Sequence, residues 1–120
     1  MDCLFCKIIN GEIPCYKVYE DDMVLAFLDV NPDSLGHTLI IPKKHYQDLM
    51  DIDSNTLSHI LDKAKEIKSL LEEKLNCDGM TLIQNNGLVQ EIKHFHLHLK
   101  PFYKEKPSDL SLDSVKAMLN

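Results

Sequence analysis

The sequence lacks long hydrophobic runs, strongly basic stretches, repeats and low-complexity segments. No apolar run approaches the roughly twenty residues of a membrane-spanning helix, so we expect no membrane partner. The N-terminal stretch MDCLFCKIINGEIP has no basic region followed by an apolar one, which argues against a secretory signal and predicts a cytoplasmic protein. The net charge of −6 and the missing basic stripe disfavour extended contact with a nucleic acid, but they allow a nucleotide-sized ligand.

What is present fits one small domain. The 120 residues are enough for a single hydrophobic core, and no linker divides the chain, so we predict one domain over 1–120. The four cysteines are not expected to form disulfides, because the predicted compartment is reducing.

Hydrophobic periodicity predicts an α+β fold. Apolar residues at helical spacing over 54–75 predict one long helix, with Asp53 as its N-cap. A short C-terminal helix is expected after Ser111 or Asp109, and residues 1–15 are interpreted as an ordered arm. We expect the strands to form an antiparallel sheet with the long helix on one face. The segments with strand composition are 17–20, 23–29, 37–42, 80–85 and 95–102.

The segment HFHLHLKP, residues 94–101, contains half of the six histidines. Alternate residues of a strand share a face, so His94, His96 and His98 point to one side while the apolar residues between them point to the core. At about 3.3 Å per residue, His94 and His98 are roughly 13 Å apart, too far for one metal ion to bind all three histidines. At least one histidine therefore has another task, unless the row is only a solvent-exposed polar face.

Imidazole is suited to nucleophilic and acid–base chemistry at neutral pH, because its ordinary pKa is about 6.5. Attack on phosphorus by a neutral imidazole requires one free ring nitrogen, with the other held by an acceptor, and donors for the phosphate oxygens. Alternating histidines on a rigid strand can supply both the nucleophile and a donor.

The longer motif QEIKHFHLHL, residues 90–99, resembles the signature of the histidine triad (HIT) nucleotide hydrolases and transferases. Two upstream blocks, CLFCKIINGEIPCYKVYEDD and AFLDVNPDSLGHTLIIPKKH, are similar to the zinc-bearing bacterial branch of that family. The resemblance covers about residues 3–103 and leaves 104–120 as a C-terminal tail and helix. It implies the HIT fold, with an antiparallel sheet of about five strands, and a homodimer that acts on a purine nucleotide.

The resemblance also implies roles for individual residues. His96, the middle histidine, would attack the α-phosphate and form a covalent nucleotidyl-imidazole, and His98 would contact the phosphate and assist the leaving group. His37 would line the same phosphate site, and Asp29 would hold the ribose hydroxyls. The other implied substrate positions are Leu4, Phe5, Phe27 and Leu28 around the base, and Asn85, Gln90 and Glu91 near the α-phosphate and leaving group.

Several of these positions have plainer interpretations. Phe27 or Leu28 could be ordinary core, and Asp29 could form a turn before Asn-Pro. The segment NNGLVQ, residues 85–90, is two residues shorter than its family counterpart, so we expect the contacts of Asn85 and Gln90 to be altered.

A second set of chemically active residues begins with Cys3 and Cys6, which form a C-x-x-C pair. In a reducing compartment this spacing indicates half of a zinc site or a redox pair, and two free buried thiols are the plainer alternative. A redox pair normally follows a strand, and none is predicted before Cys3. The resemblance to zinc-bearing relatives implies that His45 and His94 complete a structural zinc site. The residues interpreted as ordinary apolar or surface positions are Cys15, Cys77 and His59.

We therefore interpret the chain as a hydrolase of nucleoside 5′-phosphates that carry a leaving group. The bond cleaved could be a phosphoramidate, an acyl-adenylate or the anhydride of a dinucleoside polyphosphate, because the residues do not select among them. Two other classes stay open. One is a metallohydrolase whose zinc activates water at an open coordination position; the other is a nucleotide-binding sensor with little turnover.

Overall fold

A computed structural model describes residues 3–120 and shows a five-stranded antiparallel sheet. The strands are β1 (Lys17–Glu20), β2 (Val24–Leu28), β3 (Thr38–Pro42), β4 (Gly79–Gln84) and β5 (Leu97–Phe102). The helices are α1 (Leu4–Ile9), α2 (Ser54–Leu75) and α3 (Leu112–Leu119), and a 3-10 turn covers Gly87–Val89. The order across the sheet is β1-β2-β3-β5-β4, with neighbouring strands antiparallel. The predicted α+β fold is confirmed.

The long helix α2 has the predicted bounds. Asp53 caps it by accepting a hydrogen bond from the backbone N–H of Thr56, and Asn76 ends it in a left-handed conformation with φ 53°. Its buried stripe packs on the sheet and forms the larger of two core clusters with the apolar side of β5. Of the two caps considered for α3, Ser111 is the one observed. No helix among residues 3–120 is long and apolar enough to cross a membrane.

The arm predicted over 1–15 contains the helix α1, which the sequence pattern did not indicate. Its first two residues lie outside the part of the chain that the structure describes. Cys3 caps this helix, because its thiol accepts a hydrogen bond from the backbone N–H of Cys6. The helix has six residues, fewer than two turns, which is too short to show a helical period. Phe5 anchors it on the sheet face opposite α2.

Strand β5 begins at Leu97, two residues later than predicted. The backbone N–H of Phe95 donates to the carbonyl of Tyr46, at 2.7 Å, so the chain joins the loop before α2 and not the sheet at this point. His94 and His96 therefore precede the strand. From Leu97 onward burial alternates, with Leu97 and Leu99 buried on the α2 side, so His98 lies on the α1 side.

His59 is not the plain surface residue that the sequence suggested. Its Nε2 lies 2.6 Å from Asp21 Oδ2, and the Tyr19 hydroxyl donates to the same carboxylate oxygen. Burial raises the pKa of Asp21, but these bonds and the backbone amides of the β1–β2 turn outweigh it, so the pKa lies well below its usual range. The contact joins α2 to that turn. Helical periodicity cannot reveal a partner 38 positions away.

Candidate active site and metal site

A cavity of about 390 Å³ opens on the sheet face that carries α1. Of the three catalytic and eight substrate-binding positions predicted, all but Gln90 line it. The sheet brings them together, because β2, β3 and β5 are adjacent and residues at alternate positions face the same side. The cavity is therefore assembled from segments that lie far apart in the sequence.

His96 is buried and lines the cavity, with one ring nitrogen free. Its Nδ1 lies 2.8 Å from the backbone carbonyl oxygen of His94. A carbonyl only accepts, so this contact assigns the proton to Nδ1 and leaves the lone pair on Nε2. Burial lowers the pKa of His96, which keeps the ring neutral. The side chain is thus a neutral imidazole with an unprotonated Nε2, the form that a nucleophile requires.

His37 and His98 form a directed pair beside His96. The backbone N–H of Asp33 donates to His37 Nδ1 at 3.1 Å, so the proton of His37 resides on Nε2. That Nε2 lies 2.9 Å from His98 Nδ1, which must accept and leaves the His98 proton on its own Nε2. His98 therefore presents an N–H donor to the cavity, and its ring centroid is 4.9 Å from that of His96. The backbone N–H of Asp33, in the loop before β3, therefore determines which nitrogen donates in each of these hydrogen bonds.

The pKa values of both residues support these neutral forms. Burial lowers the pKa of His98 to about 4, and repulsion from the protonated forms of His96 and His37 and from the Lys100 ammonium group adds to the shift. Burial also lowers the pKa of His37, although Asp29 opposes the shift. Both rings are neutral at pH 7, as the hydrogen-bond directions require.

Asp29 lies next to this pair at the end of β2. Its Oδ1 accepts a hydrogen bond from the backbone N–H of Asn31, and its Oδ2 is 3.7 Å from His37 Nε2. Asp29, His37 and His98 are close enough together to suggest a metal site. Their donor chemistry does not fit one, because His37 Nε2 carries a proton and cannot act as a ligand in this tautomer. The geometry favours hydrogen bonding to an oxygen-rich ligand.

The other end of the cavity is apolar. The rings of Phe5 and Phe27 meet edge to face with centroids 5.6 Å apart, and Leu4 lines the cavity beside them. Phe27 belongs to the smaller core cluster on this face. Leu28 also lines the cavity but packs within the larger cluster under α2. An aromatic wall next to a carboxylate suits a flat ring attached to a sugar.

Some residues in and next to the shortened NNGLVQ segment line the cavity, and others do not. Asn85 and Glu91 line the cavity. Gln90 does not, because its Nε2 donates to the carbonyl of Gln47 at 2.6 Å and the residue is only 2 % exposed. The 3-10 turn over Gly87–Val89 lies in this segment, directly before Gln90.

Cys3, Cys6, His45 and His94 form a second cluster, in which all four ligand atoms lie within 4.8 Å of one another. His94 Nδ1 is 3.3 Å from Cys3 Sγ, 3.6 Å from Cys6 Sγ and 3.1 Å from His45 Nδ1. The loop after β3 brings His45 to 3.3 Å from Cys6 Sγ. The cluster joins the N-terminal helix, this loop and the histidine segment.

The donor set of this cluster fits zinc. Bond lengths of about 2.3 Å to sulfur and 2.0–2.1 Å to nitrogen give tetrahedral ligand separations of about 3.3–3.8 Å, close to those found. His94 Nε2 lies 2.8 Å from the carbonyl oxygen of Pro42, which leaves Nδ1 unprotonated toward the cluster. Burial, then the Cys3 thiol, raise the pKa of Cys6 to about 11, so the Cys6 thiol needs a nearby cation to ionise.

A model of the HIT domain matches residues 10–105. The chain belongs to the HIT family. It is 45 % identical to an adenylylsulfatase from Arabidopsis thaliana over 83 % of this chain and 52 % of that protein. It is 39 % identical to an adenosine 5′-monophosphoramidase from Schizosaccharomyces pombe over 84 % of this chain and 74 % of that protein. A zinc-bound HIT protein from Mycobacterium smegmatis has a similar structure, with a TM-score of 0.90, 32 % identity and coverage of 99 % and 91 %.

Some residues of the cavity lie outside the HIT motif, and the sequence interpretation missed them. Lys100 lines the cavity and pairs with the carboxylate of Asp33, whose backbone N–H orients His37. Cys15, interpreted as an ordinary apolar residue, also lines the cavity. The period of two that placed the histidines on one face, extended past His98, would have found Lys100.

Proposed function

We propose that this HIT protein hydrolyses nucleoside 5′-phosphates that carry a leaving group, through a covalent nucleotide bound to His96. The observation that carries the proposal is the neutral, buried His96 ring, whose free Nε2 belongs to a cavity with an aromatic wall and a carboxylate. The names of the two relatives, a phosphoramidase and an adenylylsulfatase, support an adenosine 5′-phosphate. Purine nucleotides are therefore the expected substrates and AMP the expected product.

The proposed reaction has two steps. The base lies against Phe5 and Phe27, and Asp29 accepts hydrogen bonds from the ribose hydroxyls. His96 Nε2 forms a bond to phosphorus, and the leaving group departs with the electron pair of the broken bond while His98 Nε2–H donates a hydrogen bond to it. Water then attacks phosphorus, and the P–N electron pair returns to His96 Nε2. Solvent supplies the proton that the leaving group takes up in the first step and receives the proton that the attacking water releases in the second.

Zinc is proposed as the structural ion of the four-ligand cluster. Two thiolates and two imidazoles fill a tetrahedral site and leave no position for a reacting water, which argues against the metallohydrolase alternative. When bound, the ion supplies folding free energy and fixes the segment before His96. Here His94 acts as a ligand and as the acceptor that orients His96, through its backbone carbonyl.

A homodimer in the cytoplasm is also proposed. Strand β4 lies at the edge of the sheet, and its Leu82 is 45 % exposed, so a second copy could extend the sheet and cover this side chain. Thiolate ligands for zinc persist in a reducing compartment, which supports the cytoplasm.

The function is tested by a panel of adenosine 5′-phosphoramidate, an aminoacyl adenylate and a diadenosine polyphosphate, assayed with and without a chelator. We expect turnover of at least one compound, with a rate per folded molecule that survives zinc removal. A rate that vanishes while the protein stays folded would support the metallohydrolase. Binding of AMP without turnover of any compound would support the sensor.

Replacing Asp29 by Ala is expected to weaken AMP binding about tenfold or more, because hydrogen bonds to a charged group contribute about 1.5–3 kcal/mol. Calorimetry with AMP and its 2′,3′-dideoxy analogue measures this. The analogue should bind wild type weakly and lose little further in the variant. Independent, additive losses would show that Asp29 does not contact the ribose.

The low pKa of His98 predicts an unusual pH dependence. An ordinary histidine takes up a proton near pH 6.5, whereas His98 stays neutral down to about pH 4, so its bond from His37 should persist below pH 6. NMR titration of the ring should give a midpoint well below 6.5. Because the unfolded chain binds a proton between these pH values and the native chain does not, stability should fall as the pH drops below 6.5. A midpoint at 6.5 or above would contradict the assigned donor directions.

A further inference from the structure

Lys100 continues the row of side chains that begins with the catalytic histidines. It lies two residues after His98 on the same face of β5. Along the chain it is therefore about 7 Å farther from His96 than His98 is. It lines the cavity, and its side chain is only 24 % exposed. The row therefore presents a nucleophile, a hydrogen-bond donor and an ammonium group in that order.

Lys100 has the opposite charge to the other ionised groups of the cavity. Asp29, Asp33 and Glu91 line it as carboxylates, and Lys100 is the one lysine among the lining residues that the structure describes. Its charge reaches the reacting groups, because it contributes to the lowered pKa of His98 after burial and the neighbouring histidines. A cation in an otherwise acidic site marks the place where a substrate anion is accepted.

In-line displacement places the leaving group on the side of phosphorus away from His96. In displacement at phosphorus the attacking and leaving atoms lie roughly in line. With His96 as the attacking group, the leaving atom is on the opposite side of phosphorus, and the row runs from His96 past His98 toward Lys100. We propose that Lys100 is a specificity-determining residue that favours substrates whose leaving group carries a negative charge. This inference rests on the proposed function, since it requires attack by His96.

The present partner of Lys100 can be replaced by such an anion. Its Nζ lies 2.6 Å from Asp33 Oδ2, and the Asp33 side chain is 64 % exposed. An ion pair with one partner this exposed is weak, because water and salt screen the carboxylate. Asp33 therefore pairs with the Lys100 ammonium group when no substrate is bound. A negatively charged leaving group competes with Asp33 for this ammonium group.

Two substrates that differ by one carboxylate test the inference. The adenosine 5′-phosphoramidates of tryptamine and of tryptophan share a nucleotide and a ring system, and the second has a charged leaving group. The measured quantity is the ratio of kcat/KM for the tryptophan compound to that for the tryptamine compound. Lys100→Met should lower this ratio about tenfold or more, because a charge-assisted contact is lost, and Lys100→Arg should retain most of it.

Asp33→Asn distinguishes selection of charge from a structural role of the ion pair. The substitution removes the competing carboxylate and keeps the backbone N–H that orients His37, so it should raise the ratio. If the pair only held the loop in place, Lys100→Met and Asp33→Asn would change the two substrates alike and in the same direction. Lys104→Met removes an exposed lysine outside the cavity and should leave the ratio unchanged.

The outcomes separate this inference from the proposed function. Turnover of the tryptamine compound with a ratio that Lys100→Met leaves unchanged overturns the role of Lys100 while the hydrolase stands. Failure of wild type to hydrolyse these two compounds and every compound of the three-substrate panel overturns both the hydrolase and the role of Lys100. A wild-type ratio that falls with added salt, together with a low and salt-independent ratio in Lys100→Met, supports the charge contact.

Discussion

His96→Ala is expected to lose nearly all turnover while the protein stays folded, retains zinc and binds AMP. Removing the nucleophile of other covalent enzymes costs about 10⁶-fold in kcat, and a loss of that order is expected here. The loss is chemical because His96 is not among the four clustered metal ligands. Single-turnover kinetics, zinc content and AMP binding, measured on one preparation, check the three parts together.

His96→Asn is the matched variant for this prediction. Its side-chain amide can still donate to the carbonyl of His94, as His96 Nδ1 does, but it has no counterpart of Nε2. It should therefore fold as well as wild type and be as inactive as His96→Ala. Near-normal turnover in either variant would remove His96 from the mechanism.

Loss of a zinc ligand is expected to damage stability more than chemistry. Structural zinc contributes about 10–16 kcal/mol of apparent binding free energy in small zinc-binding domains, so losing even a fifth of that should lower the Tm by about 10 °C or more. Cys6→Ser should release zinc and melt early, with activity falling in step with the folded fraction. Elemental analysis and thermal unfolding with and without added zinc measure the effect.

Cys77→Ser provides the control for that prediction. Cys77 is half-buried and lies outside the four-ligand cluster, so this substitution should leave zinc content intact and change the Tm only slightly. His94→Ala should resemble Cys6→Ser although it lies only two residues from His96. Metal-replete wild type without zinc, or a Cys6→Ser protein as stable as Cys77→Ser, would contradict the structural role.

The sequence predicted the main elements of the fold because their signals are local. The stripe of α2 and its cap at Asp53 are readable over consecutive turns, and the alternation around His98 gives the faces of β5. The small helix α1 escaped this approach, since its stability comes from Phe5 on the sheet and from the Cys3 cap. Tertiary contacts decide such short elements.

The residues of the candidate site that belong to a sequence motif could be predicted from the sequence. The family resemblance and the residue spacing indicated His96 and the cysteine pair. In the structure His96 lines the cavity, and the two cysteines lie in the four-ligand cluster. Gln90 was predicted at the cavity but donates to Gln47, a contact set by the path of a short loop. The bond from the Asp33 backbone to His37 could not be predicted either, because any residue supplies a backbone N–H.

The covalent intermediate is the central claim, and rapid-quench mass spectrometry of wild-type protein tests it most directly. Protein mixed with an adenosine 5′-phosphoramidate and quenched within one turnover should carry one added adenylyl group, located on His96. The group should be absent from His96→Asn under the same conditions. An adduct located on His94 or His98, or turnover with no adduct at any quench time, would contradict the account.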